Sequence, residues 1–227
     1  MIKVQATING VISKSATVRT AGDGKKFIGF PVKLTVPGSR NNMPGKELTV
    51  SVSKEGDESE LTAFAAGTRI EATGMLTFRK TGDNLYFNFH ADTVNLSPES
   101  NKDAIEGTLE FKGTVGKGVD EKTDKKGGKY VSFSAYSTEK SGDTLQFTWV
   151  RFIKFDYVKD AFLEPKAKIH ATGKLTVSAY NGRIDLDCRL EEICGKAVWL
   201  LLETISGKLD SGVTMQIRPQ FMDGITL

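Results

Sequence analysis

Cysteine is scarce in this chain. Cys188 and Cys194 are the only two among 227 residues, and they stand six positions apart. That spacing fits neither a redox Cys-x-x-Cys nor a zinc knuckle, so ordinary buried or half-buried thiols are expected. Histidine is equally rare: His90 and His170 both fall in strand-like stretches. Neither a Ser/His/Asp nucleophilic set nor a His/Cys ligand set can be assembled from them. The pair Asp185 and Asp187 reads as a solvated strand edge rather than a catalytic pair, so no enzyme, metal or cofactor is expected. No apolar run approaches the ~18–20 residues of a membrane-spanning helix, and no membrane partner is expected. The opening MIKVQATING alternates at once, with no apolar signal segment, which predicts a cytoplasmic location. Strong charge of one sign is missing too. A net charge of +3 permits an anionic partner without demanding one. GDGKK at Gly22 and GTVGKG at Gly113 look like phosphate loops, but both lack the G-x-x-x-x-G-K-[ST] spacing and the following helix.

Present instead is period-two alternation, punctuated by glycine, which predicts an all-β sandwich or barrel. Two stretches break it. ESELTAFAA, from Glu58 to Ala66, predicts a short helix with Leu61 and Phe64 on one side and Gly67 as its stop. DYVKDAFLE, from Asp156 to Glu164, predicts another, with Asp156 as N-cap, an apolar stripe of Val158, Ala161 and Phe162, and Pro165 at its end. Nearly the same phrase follows each. Ile-x-Ala-Thr-Gly-x-Leu-Thr occurs around Gly74 and again around Gly173, 99 residues later. Upstream, KKFIGFPVKLTV answers GKYVSFSAYSTE, with Phe30 matching Phe133 at an offset of 103. The changed offset implies a longer loop between Pro37 and Pro44 in the first copy. The chain is therefore an internal duplication, each unit reading strand, strand, strand, short helix, strand, strand. SPESNKD, Ser97 to Asp103, suits a linker. The expected division is 1–100 for the first copy and 101–195 for the second. The remainder, 196–227, reads as a C-terminal β-hairpin extension.

Within the second copy, FTWVRFIKF (Phe147 to Phe155) puts Trp149, Arg151, Ile153 and Phe155 on one strand face and Thr148, Val150, Phe152 and Lys154 on the other. The first of these faces is either core or a stacking platform with a cation beside it.

Five strands with a helix between the third and fourth is the plan of the OB-fold, so the expected architecture is all-β: two tandem five-stranded OB-fold barrels. The second copy moreover resembles the bacterial single-stranded-DNA-binding protein family. FTWVRFIKF, YVKDAFL, IHATGKLTV and RIDLDCRLEEI follow that family's order of elements over most of residues 104–193, and the first copy follows more faintly. The resemblance implies that Trp149, Arg151 and Phe155 face a DNA groove. It also implies that OB units assemble in fours, which a homodimer of this chain would supply.

On the neighbouring strand, Tyr130 and Tyr136 share the outward face with Ser132 and Ser134, and Lys126 and Lys129 stand at the adjacent loop. In the first copy the matching outward residues include Phe27 and Lys33, while Arg79, Lys80 and Tyr86 surround the hairpin at Gly82. These twelve residues form the candidate interface: Trp149, Arg151, Phe155, Tyr130, Tyr136, Lys129, Lys126, Phe27, Lys33, Arg79, Lys80 and Tyr86. Tyr180, beside the tight-turn pair Asn181-Gly182, is balanced between contact and plain exposure. Against the resemblance, Thr49, Ser51 and Ser53 replace the aromatic face in the first copy, making it the expected weaker binder. Asp185, Asp187, Glu106 and Glu110 would repel DNA, and the family's acidic tail tip is missing. The expected partner is single-stranded DNA, with RNA as the other polymer such a face accepts, in replication, recombination or repair near the nucleoid. Two other classes compete. One is an OB-fold protein-assembly module using the acidic strand faces and C-terminal hairpin. The other is an oligosaccharide binder, ranked last because loop lysines add little for a neutral sugar.

Overall fold

The computed structural model describes residues 1–40, 42–141 and 144–198. Within these residues eleven strands order themselves so that two barrels share one continuous sheet. The first barrel contains β1 (Ile2–Ile12), β2 (Thr17–Thr20), β3 (Lys26–Val36), β4 (Lys46–Glu55), a 3₁₀ helix (Glu58–Phe64), β5 (Arg69–Thr81) and β6 (Asn84–Asn95). The second contains β7 (Ala104–Thr123), β8 (Lys129–Ser141), β9 (Thr144–Phe155), β10 (Lys168–Tyr180) and β11 (Arg183–Gly195). β7 does in one strand what β1 and β2 do in two. In each barrel the third strand of the five pairs parallel with the last, β4 with β6 and β9 with β11, as an OB-fold requires. The predicted hairpin extension lies, from residue 199 onward, outside the described residues.

Alternation dictates the cores. Along β3, Ile28, Phe30, Val32 and Leu34 are buried while Lys33 and Thr35 stand in solvent. Phe30 stacks on Phe64 at 5.0 Å, and Phe78 meets Phe87 edge-on at 5.1 Å. In the second barrel Phe152 sits between Phe111 at 5.0 Å and Phe133 at 5.2 Å. Each such ring removes enough apolar surface from water to contribute about 1.5–3 kcal/mol.

The glycine of the repeated Ala-Thr-Gly has a steric cause. Pairing of β5 with β6 slips between Thr73 and Gly74, and pairing of β10 with β11 slips between Thr172 and Gly173. A Cβ on Gly74 would lie 2.1 Å from the His90 carbonyl oxygen, and one on Gly173 would lie 2.2 Å from that of Arg189. Only glycine lets the two backbones cross so closely at the bulge.

The first helix forms with Asp57 as N-cap, its carboxylate accepting from the Ser59 N–H at 2.8 Å, and Gly67 at φ 89° beyond its end. The second expected helix does not form. Asp156 sits at φ 52°, a left-handed turn instead of the extended backbone of an N-cap, and its N–H donates to the Lys129 carbonyl at 2.8 Å. The predicted stripe is also on the wrong side. Val158 and Phe162 are exposed, while Leu163 is fully buried. Leu163 closes the second barrel where Phe64 closes the first, again 99 residues apart. One plugging residue is retained, and an irregular segment carries it.

The barrels join through their first strands. β1 and β7 run antiparallel, from Ile2 opposite Phe111 to Asn9 opposite Ala104. The linker is tied down, Asp103 accepting from the Thr35 N–H at 2.8 Å and from Arg69 at 2.9 Å. The long loop after β3 makes a second junction. Ser39 N–H donates to the Ala179 carbonyl and Ala179 N–H to that of Pro37, both at 2.9 Å, and the Lys46 ammonium donates to the Gly182 carbonyl. Asn181 and Gly182, at φ 47° and 75°, make the tight turn this loop docks on.

Candidate nucleic-acid interface

Antiparallel pairing of β8 with β9 sets residues opposite one another in rows: Thr138 with Phe147, Tyr136 with Trp149, Ser134 with Arg151, Ser132 with Ile153, and Tyr130 with Phe155. The buried partners Val131, Phe133, Val150 and Phe152 anchor the far side, which forces these rows outward. Tyr136 lies 4.9 Å from the Trp149 ring and 5.4 Å from Phe147, and Tyr130 lies 5.7 Å from Phe155. Trp149 is 48% exposed, Phe155 44% and Phe147 41%. Three large rings are left this open on a sheet that has a core of its own, an arrangement able to stack against flat faces. Gly116 makes room for it. A Cβ there would stand 3.1 Å from the Trp149 ring and 2.9 Å from the Ser134 carbonyl.

Cations edge the aromatic rows, but not all are free. Arg189 of β11 sits 5.4 Å over the Phe155 ring. Lys126 and Lys129 are exposed on the hairpin between β7 and β8, where Asp124 accepts the N–H groups of Lys126 and Gly128, each at 2.8 Å. Arg151, the expected phosphate contact, donates through Nε to Asp187 at 2.6 Å. That hydrogen bond holds its guanidinium even more firmly protonated than usual. The carboxylate comes from β11, whose parallel pairing puts Asp187 level with Arg151. Beside it, burial above all, then the charge of Asp187, raises the Asp185 carboxyl above its ordinary value. Burial pushes the Cys188 thiol up to about 12 and leaves it inert.

Between the barrels these elements bound a groove of about 780 Å³. Lys46, Lys80 and Tyr86 line it from the first barrel, and Trp149, Arg151 and Arg183 from the second. Glu47, Asp83, Asp185 and Asp187 line it as well, so among the described residues four carboxylates stand against four cations. The predicted residues thus divide. Trp149, Arg151, Lys80 and Tyr86 share this groove, while Tyr130, Phe155, Lys126 and Lys129 continue along β8 and β9 away from it. Arg79 is exposed and lies opposite Tyr86 in the hairpin, outside the groove lining. Lys33 is engaged by Glu47 at 2.8 Å. Tyr180 is covered by Arg40 at 5.6 Å, an inter-barrel contact. Phe27 belongs to a second groove of about 670 Å³ on the first barrel, 6.1 Å from His90.

Sequence reading missed Phe147, Arg189, Lys46, Lys14 and Arg19. Phe147 was within reach, since it stands two positions before Trp149 and shares its face. Arg19 was also within reach, 103 residues before Lys122. Arg189 and Lys46 come to the site through pairings between distant strands, which no local pattern announces.

No protein-family model matches the chain, and no curated protein matches it. Solved structures do. A deletion mutant of the single-stranded DNA binding protein from Thermus aquaticus aligns over 96% of this chain and 97% of its own at 11% identity, with a TM-score of 0.47. A small single-stranded DNA-binding protein from Streptomyces coelicolor aligns over 40% and 91% at 13% identity, TM-score 0.33. The PriB protein of Ralstonia solanacearum aligns over 41% and 98% at 17% identity, TM-score 0.32. The solved structures to which this chain is similar thus include bacterial single-stranded-DNA-binding proteins and PriB.

Proposed function

We propose that this chain binds single-stranded DNA without strong sequence preference and is not an enzyme. The carrying observation is the line of rings along β8 and β9, the exposed Phe147, Trp149 and Phe155 with the half-buried Tyr136 and Tyr130 packed against them. Every base has a π-face, so stacking at about 1–3 kcal/mol per base is indifferent to sequence. Arg189, Lys129 and Lys126 supply phosphate attraction beside the rings, and Arg151 does so once a phosphate displaces Asp187. RNA offers the same π-faces and competes for the same rows. A binder of this kind serves replication, recombination or repair, and a homodimer would present four barrels to one strand. The test is anisotropy of labelled poly-dT against duplex DNA across salt concentrations. Single-strand binding that Trp149→Ala weakens by about fivefold or more supports the reading; absence of binding at low salt defeats it.

A second reading rests on the balanced charge of the inter-barrel groove. Its four carboxylates suit a protein partner better than a polyanion. On that reading oligonucleotides bind weakly, and truncation after Gly195 abolishes association with the partner.

A further inference from the structure

The first barrel carries no aromatic rows, yet its outward face differs from the second in a way that favours a polyanion. The groove of about 670 Å³ there is lined by Lys14, Arg19, Phe27 and His90, by Thr17, Ser51, Ser53, Thr77 and Asn88, and, among the described residues, by no carboxylate. Pairing explains the arrangement. Arg19 of β2 stands opposite Phe27, and Thr17 opposite Gly29, so the cation and the ring face the same way. Ser53 Oγ lies 3.3 Å from His90 Nδ1, and Ser51 pairs with Asn88 across the parallel strands. Among the described residues neither Lys14 nor Arg19 is within ion-pair distance of a carboxylate. Glu55, opposite Phe27 on β4, is exposed but does not line the groove.

The equivalent positions in the second barrel are neutralised. Arg19 corresponds to Lys122 and Thr17 to Asp120, and Lys122 is bound to Asp120 at 3.0 Å. Ser51 corresponds to Arg151 and Asn88 to Asp187, which again bind each other at 2.6 Å. At both of these places the second barrel pairs a cation with an acid, and the first has removed the acid. At one of them it has kept the cation free.

We infer that the groove around Lys14, Arg19 and Phe27 is a second nucleic-acid site, one that holds the sugar-phosphate backbone of the same strand. It works by charge and hydroxyl hydrogen bonding and offers a base Phe27 with the His90 ring beside it. The two barrels thus have complementary roles, stacking in the second and phosphate neutralisation in the first. This rests on the single-strand reading above, and the test separates the two.

The experiment measures the salt dependence of binding to a labelled oligo-dT of about 30 nucleotides, enough to span two OB units. It compares the wild type with Lys14→Ala/Arg19→Ala, Arg19→Lys and Trp149→Ala, all in the full chain and all checked for unchanged thermal unfolding. Each phosphate neutralised on a single strand contributes about 0.7 to the slope of log K against log salt. The double variant therefore loses about 1.4 from that slope, Arg19→Lys retains it, and Trp149→Ala binds more weakly with the slope unchanged. A double variant with the wild-type slope, while Trp149→Ala still weakens binding, overturns this inference alone. A wild type that does not bind the oligonucleotide overturns the inference together with the reading beneath it.

Discussion

The two barrels share one frame and present opposite faces. Residues at matching positions of the third strand are Thr49 and Trp149, Ser51 and Arg151, Glu55 and Phe155. On the second strand they are Phe27 and Tyr130, Lys33 and Tyr136. The bulge glycine, the plugging residue and the parallel closing pair are common to both halves, because a barrel fails without them. Solvent-facing positions cost little to change, since neither barrel's closure depends on them. A duplicated barrel can therefore keep its core and give each half a separate chemistry.

The comparison breaks first at the core. Phe152 is fully buried between two rings, and its counterpart Val52 is likewise buried but far smaller. Phe152→Ala should cost about 3–5 kcal/mol, and Val52→Ala appreciably less, because less volume is removed. Denaturant unfolding followed by circular dichroism measures both; equal losses would mean that the two cores are not packed as described.

Next comes the face. Trp149→Ala should weaken binding to oligo-dT by about 1–3 kcal/mol, while Thr49→Ala changes it by no more than about 0.5 kcal/mol. Titration calorimetry on each variant compares them, and an equal effect at both positions removes the distinction between the halves. Gly116→Ala sharpens the same point. Its new methyl meets the Trp149 ring and the Ser134 carbonyl, so affinity should fall a few-fold, between the two previous values.

Much of this was legible in the sequence. Alternation put Phe30 and Phe133 inward, and both face the barrel core. The repeated Ala-Thr-Gly marked the bulges, and the changed offset marked the long loop after β3. The Trp149, Arg151 and Phe155 face was legible because a strand's period is its own property. Partners from elsewhere were not. Asp187 reaches Arg151 through a parallel pairing set by barrel closure, and Arg40 reaches Tyr180 through contact between barrels. The second helix failed for a related reason. An apolar stripe at Val158, Ala161 and Phe162 looks helical, but the barrel needed only Leu163, delivered by a left-handed turn at Asp156.

The smallest expected effect is electrostatic. Desolvation, helped by Asp187 and opposed by Arg151, raises the Asp185 carboxyl above its ordinary value. The native state thus keeps this proton to higher pH than the unfolded chain does, and ionised Asp185 disfavours the fold at neutral pH. Asp185→Asn should raise the Tm slightly at pH 7. The gain shrinks as pH falls through the raised value and is gone below about 3.9, the value of an unperturbed aspartate. The variant should also tighten oligo-dT binding at pH 7 and flatten the gain the wild type shows on acidification. Scanning calorimetry and anisotropy between neutral and acid pH check both signs.

The most direct test of the central claim follows tryptophan fluorescence while oligo-dT is titrated into the wild type and into Trp149→Phe. Phenylalanine keeps a ring on the face and removes the indole. Bases stacked on β9 predict strong quenching in the wild type and its loss in the variant, with binding retained by anisotropy. Quenching of equal size in both proteins would mean that the strand does not stack on Trp149, and the aromatic rows of β8 and β9 would not be the interface.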